Sequence, residues 1–195
     1  MTAKLVVLVS GNGSNLQAIL DACATGTLDA RVEAVISNRI GAFALDRASQ
    51  SGVESFVVEP VRGEDRAASD ARLARIVARY EPSVVVLAGW LRVLSPAFLD
   101  HFKVINLHPA LPGEFAGLHA IDRAFAAWQA GDIANSGVMV HWVPDAGVDS
   151  GPVIASQVVA FEDGDTLDVF EERMHAAEHE LIVSALGQIF QESAS

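Results

Sequence analysis

The chain has 195 residues, with 13 Lys and Arg against 25 Asp and Glu, a formal net charge of −12. At 51% hydrophobic and 19% charged residues it can bury a sizeable core and is not disordered, and no apolar run approaches the roughly 20 residues of a membrane span. The charge argues against nucleic-acid binding, which draws on clustered Lys and Arg, and the lone Cys23 excludes an internal disulfide or a multi-cysteine metal cluster. No signal-peptide layout precedes the first strand pattern, so the expectation is a soluble, cytoplasmic, single domain over 1–195, with no membrane partner. Any anionic ligand must be held by local donors, because the global field repels it.

In chain order, the pattern predicts strands at 5–9 and 32–36, with a helix at 15–23 between them after a Gly/Ser/Asn turn. A helix over 43–50 and a strand over 55–58 follow. Leu73, Ile76, Val77 and Tyr80 stand at i, i+3, i+4 and i+7, one apolar helical stripe that Pro82 ends. Strands are predicted at 84–87 and 104–107, then a Pro/Gly-rich loop at 109–117 and a helix at 120–130. Strands at 138–143 and 153–160 flank a turn at 144–152. The last helix begins near Asp165 and carries Leu167, Phe170, Met174, Ala177, Leu181 and Ala185 on its apolar face, with a frayed tail at 191–195. Continuous Val/Leu runs imply strands covered on both faces. The expected class is α/β: a doubly wound, mostly parallel sheet with a Rossmann-like N-terminal half and antiparallel strands in the C-terminal half.

Three constellations bear chemistry. Gly11-Asn12-Gly13-Ser14-Asn15 lies between a strand and a helix, where glycines let backbone approach a ligand and a helix N-terminus offers free N–H groups. It lacks the third glycine and the ribose-binding acid of a dinucleotide site, and the Gly-Lys-Ser/Thr of a Walker loop. A monophosphate cradle fits, and so does an ordinary glycine-rich turn with a Ser/Asn cap. Asn106 and His108 share one side of a strand at its carboxyl end, where open α/β sheets bind ligands. An amide there can stabilise an oxyanion and an imidazole can move a proton, although a lone His is often structural. The turn Asp145-Ala146-Gly147-Val148-Asp149-Ser150-Gly151-Pro152 could supply a carboxylate to the histidine, or could be Asp- and Gly-rich only because turns favour them.

The ordered set of Gly11 to Asn15 running into Leu16-Gln17-Ala18-Ile19, then Leu87 to Ser95, Asn106-Leu107-His108-Pro109, Gly117-Leu118-His119 and Asp149-Ser150-Gly151-Pro152, resembles the folate-dependent formyltransferases. The N-terminal loop points to the branch acting on glycinamide ribonucleotide. The resemblance runs from Leu5 to about Ala185. Two departures stand out: Ala110-Leu111-Pro112-Gly113-Glu114-Phe115 replaces a Ser-Leu-Leu-Pro type sequence, and the turn before Asp149 is one residue longer than usual. Asp149 is preferred over Asp145 as the acid because Ser-Gly-Pro follows it.

The resemblance implies formyl transfer from 10-formyltetrahydrofolate, as co-substrate, to the amine of glycinamide ribonucleotide in purine synthesis, with no metal. It implies Asn106, His108 and Asp149 as catalytic residues. Gly13, Ser14, Asn15 and Glu178 would hold the ribonucleotide. Arg66, Leu91, Arg92, Val93, Leu94, Asn106, Asp145, Ala146, Gly147 and Val148 would meet the folate. Arg66 and Glu178 could equally be solvated helix charges, and Leu91, Val93 and Leu94 simple core. Asp149 is expected to keep His108 protonated. His119 and His141 read as structural or second-rank, His101, His175 and His179 as surface residues, with His175 the best placed to face a phosphate. The partners implied are small molecules, with the chain a monomer or homodimer. A formyltetrahydrofolate hydrolase, expected to carry a further N-terminal domain, a methionyl-tRNA formyltransferase, expected to carry a further C-terminal domain and a basic surface, and a non-catalytic nucleotide-binding module are the rivals.

Overall fold

Strands that are apolar on both faces need cover on both, and the computed structural model, which describes residues 2–193, provides it. Seven strands form one sheet in the order β3-β2-β1-β4-β5-β6-β7. β1 (Ala3–Val9), β2 (Ala30–Ser37), β3 (Glu54–Val57), β4 (Val84–Leu87) and β5 (Val104–His108) run parallel. β6 (Asn135–Trp142) and β7 (Val153–Ala160) add in antiparallel sense. Alternate residues of β1 feed two cores: Leu5, Val7 and Val9 pack with the helices α1 (Ser14–Thr25), α2 (Phe43–Gln50), α5 (Ala120–Gln129) and α6 (Leu167–Ser193). Val6 and Leu8 pack with α3 (Arg66–Val77) and α4 (Pro96–Leu99).

The order in which the chain adds strands switches sides between β1 and β4, which are themselves parallel, and the loops leaving these two strands are laced together. The Ser10 N–H donates to the Gly89 carbonyl at 3.1 Å, and the Leu91 N–H donates to Ser10 Oγ at 3.0 Å. This is the switch point at which open α/β sheets leave a crevice.

The expected doubly wound architecture holds, and the differences are local. β6 begins at Asn135, three residues early, because Asn135 and Ser136 pair with Ala160 and Val159 although neither is apolar. α3 passes into a 3₁₀ turn, Ala78–Tyr80, and stops at Glu81 in a left-handed conformation before Pro82. α4 was not predicted: four residues are too few to show a period, and its entry is Ser95 followed by Pro96 at the first helical position. α6 remains helical through Ser193, so the frayed tail does not start at Gln191, and residues 194 and 195 lie outside the described residues.

Phe170 on α6 has no exposed surface and stacks on Phe161 at 4.1 Å, with Phe125 at 6.2 Å. Phe170→Ala removes that ring from a filled core and should cost about 3–5 kcal/mol. Urea denaturation of the two proteins checks this, and a loss under 1 kcal/mol would mean the cluster is loosely packed.

Candidate active site

Because side chains alternate along β5, Ile105 and Leu107 enter one core while Asn106 and His108 face the other side. β6 sets His141 opposite Asn106 and Met139 opposite His108. Asp149 comes from the β6–β7 turn and is placed among them. Its Oδ1 accepts from Asn106 Nδ2 at 3.0 Å, its Oδ2 accepts from the Gly117 N–H at 2.8 Å, and Oδ2 lies 3.3 Å from His108 Nδ1. His141 Nε2 is 3.5 Å from Oδ1. Burial alone would raise the Asp149 carboxyl, but the His141 ring, the Gly117 N–H and His108 outweigh it and hold it below its ordinary value. Asp149 is therefore ionised at neutral pH.

The turn is held in this shape by its own residues. Asp145 Oδ1 accepts from the Gly147 N–H at 2.7 Å, and a Cβ at Gly151 would collide with the Trp142 carbonyl. Asp149 has φ +48°. Of the four non-glycine residues with positive φ among the described residues, three (Phe115, His119 and Asp149) lie in the two loops flanking His108. Each such conformation costs on the order of 1–3 kcal/mol, so packing elsewhere must hold it.

His108 differs from expectation. Burial pushes its imidazolium below the ordinary range, and this outweighs the Asp149 charge and the Phe115 carbonyl, which raise it. In the free protein His108 is neutral at pH 7 and not held protonated by Asp149. Both ring nitrogens face acceptors, Nδ1 at 3.3 Å from Asp149 Oδ2 and Nε2 at 3.2 Å from the Phe115 carbonyl, so the one proton of the neutral ring serves either of them. Asn106 is also committed. His141 Nδ1 lies 2.8 Å from the Trp142 carbonyl and so carries a proton, while its Nε2 lies 3.2 Å from Asn106 Nδ2 and 3.5 Å from Asp149 Oδ1. Both amide hydrogens of Asn106 then have partners, Asp149 and His141. His141, read from sequence as structural or second-rank, touches Asn106 and Asp149.

These groups open into a cavity of about 430 Å³. Leu91, Arg92, Val93 and Leu94 form one wall, and Asp145, Gly147 and Val148 line another side; Ala146 does not line it. Leu91, Leu118 and Val148, each roughly half exposed or more, rim the mouth. Arg92 lies 3.9 Å from Asp70, whose side chain is 1% exposed and whose Oδ2 accepts from the Ser95 N–H at 2.8 Å. Asp70 thus pins the 91–95 segment to α3. The sequence shows it only as one acid on the apolar face of α3, three residues before Leu73. Arg66 is exposed at the first position of α3 and does not reach the cavity lining. His119 is exposed at the cavity mouth, 3.7 Å from Asp122.

The N-terminal loop forms a second centre. Gly13 caps α1 with φ +76°, no side chain caps the helix, and no acid stands in its first turn. The Ser/Asn cap of the alternative reading is absent, so the N–H groups of the first turn remain open to an anion. α6 packs on α1 and carries Glu178, which is buried and accepts from His175 Nδ1 at 2.7 Å. That hydrogen bond raises the His175 pKa against burial. His179 is not a plain surface residue: its Nε2 is buried without a partner, and burial lowers its pKa.

The chain belongs to the formyl transferase family, whose model matches residues 3–186. It is 46% identical to the phosphoribosylglycinamide formyltransferase of Schizosaccharomyces pombe, over 97% of this chain and 98% of that one. The Escherichia coli protein of the same name is 42% identical, over 90% of this chain and 82% of its own. A crystal structure of glycinamide ribonucleotide transformylase 1 from Symbiobacterium toebii superposes with a TM-score of 0.89 at 38% identity, covering 95% of this chain and 86% of that one.

Since Glu178 raises the His175 pKa, the charged pair stabilises the fold fully below the ordinary histidine range, and that contribution fades as pH rises through the raised value. Glu178→Gln should lower the His175 pKa in an NMR titration. An unchanged value would show that the 2.7 Å bond does not persist in solution.

Proposed function

We propose that the chain transfers the formyl group of 10-formyltetrahydrofolate to the amine of glycinamide ribonucleotide. The observation that carries this reading is the buried Asn106–His108–Asp149 network opening into a mostly apolar cavity, with an uncapped helix N-terminus at the neighbouring switch point. The cavity would take the flat pterin between the 91–94 wall and the Asp145–Val148 side. Gly13, Ser14 and Asn15 would hold the phosphate, with Glu178 toward the ribose or glycinamide. Arg66, outside the cavity, could meet only the distal glutamate of the folate. No group of three or more His, Cys, Asp or Glu side chains among the described residues could hold a metal ion.

The amine attacks the formyl carbon, forming a C–N bond and placing negative charge on the formyl oxygen. Neutral His108 takes a proton from the attacking nitrogen at Nε2 once the Phe115 carbonyl gives way, while Nδ1–H stays on Asp149. The imidazolium therefore arises as the oxyanion does, and Asp149 stabilises it at that moment. Asn106 donates to the oxyanion by exchanging its His141 contact. The carbon–N10 bond then breaks, the electron pair stays on the folate nitrogen, and that nitrogen receives the proton.

Incubation with each substrate alone and then with both, following folate absorbance, tests the reading. Turnover should need both substrates. Turnover with the formyl donor alone would make water the acceptor and the protein a hydrolase, and none in any arm would leave a binding module.

Asp149→Asn suits the left-handed position and keeps the side-chain shape. The new NH2 group faces either Asn106 Nδ2 or the Gly117 N–H, donor against donor, and the charge facing His108 is gone. kcat should fall by about 100-fold or more while both substrates still bind. Asp145→Asn should be mild, since Asp145 bonds only within its turn. Steady-state kinetics on both variants decides the register; a dead Asp145→Asn beside an active Asp149→Asn would reverse it.

Gly13→Val should weaken the ribonucleotide far more than the folate. A Cβ at Gly13 would sit 2.5 Å from the Ala44 Cβ, and a branched residue at φ +76° is strained. Equal losses for both ligands in titration calorimetry, with the fold intact, would remove the phosphate from this loop.

A further inference from the structure

The chain carries a charge of −12, yet the ligand proposed for the Gly13 loop is an anion. Arg47 on α2 is tied to that loop. Its Nε donates to the Asn12 carbonyl at 3.0 Å, one terminal nitrogen to Asn12 Oδ1 at 3.0 Å, and the other to Gln17 Oε1 at 3.2 Å. The guanidinium carbon stands 4.9 Å from the centroid of the Phe43 ring. These partners are neutral. Among the described residues no carboxylate lies within ion-pair distance of Arg47, whereas Arg31, Arg72, Arg92 and Arg173 each have at least one. The nearest acid in this network, Asp21, is engaged through Gln17, which donates to it at 2.9 Å.

Two further contacts brace the loop on α2: the Ala44 N–H donates to the Gly11 carbonyl at 3.2 Å, and Gly13 closes on Ala44. Arg47 also stands near His179, whose pKa burial lowers; Glu178 opposes that shift, and the positive charges of His175 and Arg47 add to it. His179, with a buried and unpartnered Nε2, adds no positive charge here, so the cation bound directly to the loop is Arg47.

We infer that Arg47 is the positioning residue of the ribonucleotide site, holding Asn12 so that the open N–H groups of α1 converge and supplying the positive charge that an anion needs on so acidic a chain. A planar fork that fixes both a backbone carbonyl and a side-chain oxygen of one residue leaves the loop little freedom, so its shape precedes the ligand. The inference rests on reading Gly13, Ser14 and Asn15 as the phosphate loop. It predicts separate losses for fork and charge.

Arg47→Met keeps the stem over Phe43 and removes both; Arg47→Lys keeps the charge without the fork. Binding of glycinamide ribonucleotide, and of ribose 5-phosphate as a smaller probe, is measured by calorimetry at several ionic strengths, with folate binding, thermal stability and steady-state kinetics alongside. Arg47→Met should weaken both phosphates about tenfold or more, flatten the salt dependence, and raise the ribonucleotide KM with little change in kcat. Arg47→Lys should weaken them too but retain the salt dependence. Folate affinity should stay as in the unaltered protein. Normal ribonucleotide binding by Arg47→Met, while Gly13→Val abolishes it, would overturn the role of Arg47 and leave the loop reading standing. Equal loss of folate and ribonucleotide would also overturn it, as general damage. If Gly13→Val binds the ribonucleotide normally, the loop reading fails first and this inference fails with it.

Discussion

Asp149 is the constraint from which the site is built. A carboxylate that is nearly enclosed is tolerated only if its charge is compensated, and here two of its neighbours donate to it while two imidazoles flank it. Those neighbours come from β5, from the loop after β5 and from β6, and Asp149 itself from the β6–β7 turn. Satisfying one buried charge therefore fixes the relative placement of four segments. The left-handed backbone at Asp149 and the closed contact at Gly151 are local costs accepted for that placement.

In the proposed reaction the same carboxylate lets His108 be neutral at rest and charged once it takes a proton. Burial and the adjacent anion oppose each other, and burial prevails in the free protein. A neutral imidazole at Nε2 can accept the proton that an attacking amine must shed. When it does, the anion already in place stabilises the product of that transfer without reorganisation. A histidine charged beforehand would offer the oxyanion a donor but no base.

Charge is handled differently at the two ends of the site. The cavity proposed for the folate has an apolar wall and rim, with Arg92 directed toward Asp70 and not left as a free cation. The loop proposed for the phosphate has no acid in the first turn of α1 and, among the described residues, no carboxylate partner for Arg47. On the proposed reading an acidic protein can bind an anion because the field within one loop differs from the field of the whole surface.

Sequence alone determined the order of strands and helices, because Val/Leu runs and the Leu73–Val77–Tyr80 stripe record local periods. Phe43–Gln50, Val84–Leu87 and Val153–Ala160 were bounded as observed, where apolar runs meet turn residues. It also marked Asn106, His108 and Asp149, and the structure brings them together, because these polar residues sit at the carboxyl end of an apolar strand and in a Gly-rich turn. What it left open were facts of contact. Asp70 and Arg47 look like ordinary helix charges until the fold buries one beside Ser95 and lays the other on Asn12. Arg66 is equally plausible on paper and lies outside the cavity. Whether His108 is charged, and where the hydrogens of Asn106 go, depend on burial and on partners 7 to 43 residues away in the chain. Periodicity is local and is written into neighbouring residues; desolvation and hydrogen-bond partnership belong to residues that only the tertiary structure brings together.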